Sequence, residues 1–249
     1  KRIYLYELST FLKKKQKKNL NLYEINWIND LNKIKKGPVV FFGNEFFDSI
    51  PIKQFKRKNK NFFEKYYEIN KFNEITETYR KALLKDVHLI NTYKILKKQK
   101  FIEFPKLGLE VLKKITKKIS KRNGCLLLID YGYLRPHNQS TLQSVMKHRR
   151  NRPLDNLGKA DVTSHVNFSL LNEFFLKQKL KLKNIISQKK FLENMGIFRR
   201  AEIIAKNMKF KDQASLYLRV KRLVSPSHMG ELFKVILAYK FKKNKYFGF

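Results

Sequence analysis

Four short apolar runs, Ile3 to Tyr6, Val39 to Phe42, Cys125 to Ile129 and Leu232 to Tyr239, constrain this chain more than any other feature. Each has the length of a strand buried on both faces, and the last carries a single Lys. Strands of that kind need helices over them. Helical periodicity lies between the runs, at Leu12 to Lys18, at Leu107 to Ser120 with Leu109, Leu112 and Ile115 on one stripe, and at Ala201 to Met208. A further strand-like stretch covers Glu24 to Ile28. The alternation predicts an α/β fold on a parallel or mixed sheet. With 249 residues, 21 Phe and 12 Tyr, the chain has the apolar mass for one such domain with insertions.

Two stretches interrupt the pattern. Residues 56–100 are rich in Lys, Asn and Glu, with aromatic pairs at Phe62-Phe63 and Tyr66-Tyr67. They read as an inserted antiparallel hairpin with a partly helical segment, beside or over the sheet. Tyr133 to Phe168 holds Pro136, His137, Pro153 and several Arg without a long periodic segment, and long irregular loops in compact domains are often functional. Residues 240–249 read as a solvated basic tail.

The formal charge of +36 invites a nucleic-acid reading, because clustered cations neutralise phosphates. The charge is carried by 44 Lys against 12 Arg, scattered along the chain among Asn, Ile, Phe and Tyr, all residues with AT-rich codons. Base composition accounts for that mixture, whereas phosphate readers favour the bidentate fork of Arg. A nucleic-acid-binding or RNA-modifying protein is therefore the rival reading. The single Cys125 excludes an internal disulfide and fits a reducing compartment. The spacing of His and Cys suggests no metal site, and the apolar runs fall short of the roughly 18 residues of a membrane span. Because the chain opens with Lys1 directly into a strand-like run, its true N-terminus reads as missing, and with it any targeting signal.

In open α/β sheets, ligands bind beyond the carboxyl ends of the strands. There the chemistry changes: Glu7 follows Tyr6, Gly43-Asn44-Glu45 follows Phe42, and Asp130-Tyr131-Gly132 follows Ile129. These positions form one candidate site.

The segment Gly37-Pro-Val-Val-Phe-Phe-Gly-Asn-Glu-Phe-Phe-Asp-Ser-Ile-Pro-Ile-Lys-Gln-Phe55 resembles the signature of the family of the mitochondrial complex I assembly arginine methyltransferase, called MidA in some organisms. Three further segments keep the family's order: Leu128-Ile-Asp-Tyr-Gly-Tyr133, Gly158-Lys-Ala-Asp-Val-Thr-Ser-His-Val-Asn-Phe168 and His228-Met-Gly-Glu-Leu-Phe-Lys234. Together they span nearly the whole chain. The resemblance implies a class I fold dependent on S-adenosylmethionine, a Rossmann-like mixed sheet with helices on both faces and a family-specific insertion. Ile3 to Tyr6 then looks like the second strand, with the first strand and its Gly-rich loop upstream of residue 1. That loop normally approaches the cofactor, so the 249-residue chain alone is expected to bind S-adenosylmethionine poorly. The implied activity is arginine N-methylation of a respiratory complex I subunit or a comparable bacterial protein, in the cytoplasm if bacterial and the mitochondrial matrix if eukaryotic. A second rival is a catalytically silent assembly module with the same fold. Asn167 departs from the family's usual Asp.

Seen through this resemblance, Glu7 accepts hydrogen bonds from ribose hydroxyls; the alternative is a cap for the helix starting near Thr10. Asp30 and Leu31 meet the adenine amino group and ring face, or form a plain turn. Asn44 lies on the cofactor side. Glu45 and Asp48 are three apart, so a helical turn after Phe42 would point both carboxylates the same way, as a guanidinium requires. Asp130 and Tyr131 line the same cleft for substrate. Asp161 and His165 are four apart in a matched loop, where Asp161 contacts substrate and His165 either assists proton removal or serves as a structural hydrogen-bonder. His148 with Arg149, Arg150 and Arg152 reads as a docking surface for an acidic segment or as a solvated loop.

Overall fold

A computed structural model describes residues 2–147, 149–241 and 248–249, so His148 and most of the basic tail lie outside the described residues. Strands β1 (Ile3–Tyr6) and β2 (Ile25–Ile28) pair in parallel, joined by helix α1 (Thr10–Asn19), whose first turn is capped by the Ser9 hydroxyl. After β3 (Val40–Asn44) comes an inserted unit of β4 (Lys53–Lys58), β5 (Asn61–Ile69), β6 (Ile75–Lys81), helix α2 (Leu84–Asn91) and β7 (Phe101–Phe104). Its strands form an antiparallel sheet in the order β6-β5-β4-β7. Four strands over residues 53–104 replace the hairpin expected for 56–100.

Helix α3 (Lys106–Arg122) leads into the long central strand β8 (Cys125–Tyr133). Its buried stripe of Leu109, Leu112, Ile115 and Ile119 follows the periodicity read from the sequence, and Asn123 ends it in the left-handed conformation. Three short strands follow, β9 (Gln143–Met146), β10 (Arg149–Asn151) and β11 (Asp161–Thr163), in the order β10-β9-β11. They lie where an irregular loop was expected, because strands of three or four residues carry no readable alternation. Strand β12 (Val166–Asn167) pairs with the end of β8 and opens helix α4 (Phe168–Lys177). Strands β13 (Lys181–Leu182) and β14 (Ile186–Ser187), helices α5 (Gln188–Asn194), α6 (Ile197–Ala205), α7 (Phe210–Val224) and α8 (Met229–Leu232), and strand β15 (Phe233–Tyr239) complete the chain.

In the main sheet β8 pairs with β3 in parallel and with β15 antiparallel, while β13 and β14 pair with β15. One apolar core joins α3, α4, β8 and the inserted sheet: Leu112, Phe168, Phe175, Leu126, Phe55 and Phe104 belong to the same cluster. The insertion is thus built into the fold, and truncating Phe55 or Phe104 to Ala would cost about 3–5 kcal/mol. The tail is not solvated to its end. Phe249 packs edge-on against Phe191 at 5.5 Å, and Asn194 donates to the Gly248 carbonyl.

The pair β1-β2 does not hydrogen-bond to the main sheet among the described residues. A hollow of about 520 Å³ separates β1 from β3, lined by Ile3 and Tyr4 on one side and Val39, Val40 and Phe41 on the other. Both strands leave an edge open to it. Val40 and Phe42, in a strand expected to be buried on both faces, are 73% and 65% exposed.

Candidate functional site

Glu7 stands just past β1, half-buried. Its Oε1 accepts the Ser9 amide at 2.8 Å, and its Oε2 accepts the Gln16 side chain at 2.9 Å. Gln16 in turn accepts the Trp27 indole N–H at 3.0 Å. The carboxylate therefore organises the start of α1, the alternative raised from the sequence, while each oxygen keeps a second lone pair for a ligand. Asp30 is exposed and accepts the Asn32 amide, which opens a single 3₁₀ turn. Leu31 is corrected: it is 8% exposed and packs into the core with Ile28 and Ile34, so its side chain offers no face to an adenine ring.

Beyond β3, Asn44 and Glu45 are both exposed, with the Asn44 amide 3.4 Å from the Glu45 carboxylate. Glu45 adopts the left-handed conformation, φ 47°, and its amide donates to the Ile129 carbonyl. Residues 45–50 form bends and a turn, not a helix. The shared face expected for Glu45 and Asp48 is therefore corrected: Glu45 faces solvent and Asp48 is 6% exposed.

The carboxylate of Asp130 shapes that turn. Its Oδ2 accepts the amides of Phe47 at 2.9 Å and Asp48 at 3.2 Å, and its Oδ1 accepts the amide of Tyr131 at 2.9 Å. Asp130 is 2% exposed and committed to backbone, so its expected place lining a substrate cleft is corrected to that of a staple beneath the turn. Burial, and then the neighbouring Asp48 carboxylate, push it up to about 7 against the pull of its three backbone donors. The Tyr131 phenol donates to Asp48 Oδ2 at 2.5 Å, and burial followed by that hydrogen bond raises its pKa. The Tyr131 ring meets His165 and Phe233 edge-on, each with centroids 5.4 Å apart.

His165 is half-buried, and burial lowers its pKa, which favours the neutral imidazole. Asp161 lies exposed on β11 opposite Val145, and no hydrogen bond or ion pair joins it to His165 among the described residues. The four-residue spacing would have paired them on a helix; on a strand followed by two irregular residues it does not. Asn167 caps α4 by accepting the Leu170 amide at 3.0 Å. Asn and Asp do this equally well, so the departure from the family's usual residue costs nothing here.

Sequence reasoning missed two buried acids of the inserted sheet. Glu103 accepts from the Gln54 side chain and from the Thr141 amide and hydroxyl, and Thr141 Oγ1 accepts the His165 amide at 2.9 Å, so β7 fixes the histidine loop. Glu64 pairs with Lys53 at 2.9 Å, Lys53 with Asp86 at 2.9 Å, and Asp86 with Lys106 at 2.6 Å. The available signal was alternation: in Phe62-Phe63-Glu64-Lys65 the acid shares a strand face with Phe62. A hollow of about 620 Å³ opens between the 48–52 turn, β5 and residues 162–164, and Asp48 and Glu64 are both among its walls.

Polar groups past the carboxyl ends of β1 and β3, beside a main sheet whose last strand returns antiparallel, are the arrangement of a class I methyltransferase fold. Residues 1–186 match the family described as "Putative S-adenosyl-L-methionine-dependent methyltransferase", and the chain belongs to that family. It is similar to the mitochondrial protein arginine methyltransferase NDUFAF7 of Danio rerio, 26% identical over 84% of this chain and 49% of that protein. The Homo sapiens protein of the same name is 26% identical over 84% of this chain and 47% of its own length. This chain thus spans about half the length of these relatives. Two crystal structures of Burkholderia thailandensis proteins share the fold at 22% identity, each over 96% of this chain. Their TM-scores are 0.80 and 0.79, over 66% and 64% of their own lengths, and the second is bound to S-adenosyl-homocysteine. No group of His, Cys, Asp and Glu suited to a metal, and no helix long and apolar enough to cross a membrane, occurs among the described residues.

Proposed function

We propose that this chain carries the substrate-facing part of an S-adenosylmethionine-dependent protein-arginine N-methyltransferase acting on a respiratory-complex subunit or a comparable bacterial protein. The observation that carries the reading is the hollow between β1 and β3, flanked by two open strand edges, with Glu7 following one strand and Asn44-Glu45 closing the other at their carboxyl ends. We place one further strand between them. Its backbone would satisfy both edges and cover Val40 and Ile3, and the turn after it would fall between those acids. We assign that strand and a glycine-rich turn to a segment upstream of residue 1.

The residues present suit the cofactor. Glu7 has acceptor capacity left for two ribose hydroxyls, and Asp30 is an exposed acceptor that we assign to the adenine amino group. When bound, S-adenosylmethionine supplies a methyl group on a sulfonium centre. The chain's own task is then to hold a delocalised cation with one nitrogen aimed along the transfer line, which requires buried carboxylates. Asp48, fixed by Tyr131 and by the turn that Asp130 staples, is the pre-positioned one. His165, kept neutral by burial, is a candidate acceptor for the released proton.

The test is calorimetry with S-adenosylmethionine, with methyl transfer to protein measured alongside, on the protein carrying the upstream segment and on residues 1–249 alone. Micromolar binding and transfer by the longer form, with far weaker binding by the shorter, are expected. Binding without transfer to any protein would favour the silent assembly module. Absence of binding by the longer form would overturn the proposal.

A further inference from the structure

We infer that the hollow under the turn after β3 is the recess for the substrate's guanidinium, and that Glu64 of the inserted sheet is its second carboxylate. The inference rests on the arginine-methylating reading above and names where that substrate lodges. Glu45 and Asp48, the pair suggested by spacing, do not face the same way. Asp48 instead shares a hollow of about 620 Å³ with Glu64. Ile52, Tyr66, Leu142 and Thr163 form other parts of its wall.

Among the described residues, the buried carboxylate oxygens without a hydrogen-bond partner are Asp48 Oδ1 and Glu64 Oε2. Both residues line this hollow, and both are more than nine-tenths buried. Buried acceptors are almost always paired, so two orphans in one wall point to donors that arrive with a ligand. The charge agrees. Lys106, Asp86, Lys53 and Glu64 form a chain that is neutral in sum, and Lys65 on the same wall is paired with Glu77, which leaves the Asp48 carboxylate without an ion-pair partner in a protein of formal charge +36. The ligand is therefore a cation with several donors. The apolar stretch of Ile52 and Leu142 suits a cation on an aliphatic stem, and a planar guanidinium offers five N–H donors where an ammonium offers a compact point charge. The volume is ample for one side chain.

The experiment uses the protein with its upstream segment, saturated with S-adenosylhomocysteine and titrated in a calorimeter with a five-residue glycine peptide bearing one central arginine. The same peptide with citrulline in place of arginine is the uncharged control. The arginine peptide should bind at least tenfold more tightly than the citrulline one. Glu64→Gln should lose at least tenfold of that affinity, with S-adenosylhomocysteine affinity held within twofold. Leu142→Trp, which fills the hollow without touching a charge, should lose as much, and it decides alone if Glu64→Gln does not fold. Equal binding of the two peptides, or arginine binding unchanged in the variants that fold, overturns the recess. Arginine bound through Glu64 with no methyl transferred from labelled S-adenosylmethionine keeps the recess and removes the methyltransferase reading. Transfer with a Michaelis constant indifferent to Glu64 does the reverse.

Discussion

The carboxylate of Asp130 receives the backbone amides of Phe47 and Asp48 from 83 and 82 residues away, and so holds the turn that presents Asp48. Removing that acceptor leaves three buried N–H groups unpaired, counting the amide of Tyr131. Asp130→Ala should therefore lose about 3 kcal/mol or more of unfolding free energy, read from urea denaturation followed by circular dichroism. Loss below about 1 kcal/mol would show that the turn stands without its staple.

The same residue makes stability depend on pH. Its folded pKa is raised to about 7 from 3.8, so between those values the folded chain holds a proton that the unfolded chain has released. The stabilisation is complete below about 4 and is lost as pH rises through about 7, a change of at most about 4 kcal/mol. Asp130→Asn keeps an acceptor but cannot titrate, so its unfolding free energy should lack that fall. Identical slopes in wild type and variant, measured from pH 5 to 8, would contradict the assignment.

His165 works in the opposite sense. Burial lowers its pKa, so on acidification the unfolded chain takes up the proton first and the folded state loses stability below about 6.5. His165→Gln should remove that acid-side loss while leaving the neutral-pH stability within about 1 kcal/mol, since Gln keeps the backbone donor to Thr141. Urea midpoints at pH 7.5 and pH 5 make the comparison.

Gly132, in the Leu128 to Tyr133 segment, lies where β12 meets β8. A Cβ there would sit 2.0 Å from the Val166 carbonyl oxygen, a backbone atom that cannot turn aside. Gly132→Ala should cost about 3 kcal/mol and weaken the His165 loop that leads into β12. An unchanged melting temperature would mean that β12 is free to separate.

How far the sequence could be read depended on what each residue's neighbours are. Helices α1 and α3 and the positions of strands β3, β8 and β15 follow from local pattern, although the exposure of Val40 and Phe42 in β3 does not. The role of Asp130 did not, because β8 runs on to Tyr133 and the acid that seemed to follow a strand lies inside it. Glu45 and Asp48 have helical spacing, but the left-handed backbone at Glu45 is set by its amide's bond to Ile129, a contact 84 residues away. Glu64 and Glu103 carried no reading in the sequence, because only pairing within the four-stranded sheet buries them.

Trp27, the only tryptophan in the 249 residues, provides a reporter for the cofactor end of the site. Its indole N–H is linked through Gln16 to the Glu7 carboxylate, and the Lys17 ammonium lies over its ring at 5.8 Å. A ribose hydroxyl on the second lone pair of Glu7 Oε2 would share that oxygen with the Gln16 amide, which changes the polarity at the indole nitrogen. Titrating the protein that carries the upstream segment with S-adenosylhomocysteine should shift the part of the emission that Trp27→Phe removes. Glu7→Gln should weaken the titration by at least tenfold, because it replaces one charged acceptor with a donor on the side facing the hydroxyls, worth about 1.5–3 kcal/mol. A Trp27 signal that stays flat at saturating ligand, with affinity indifferent to Glu7, would confine Glu7 to its place at the head of α1.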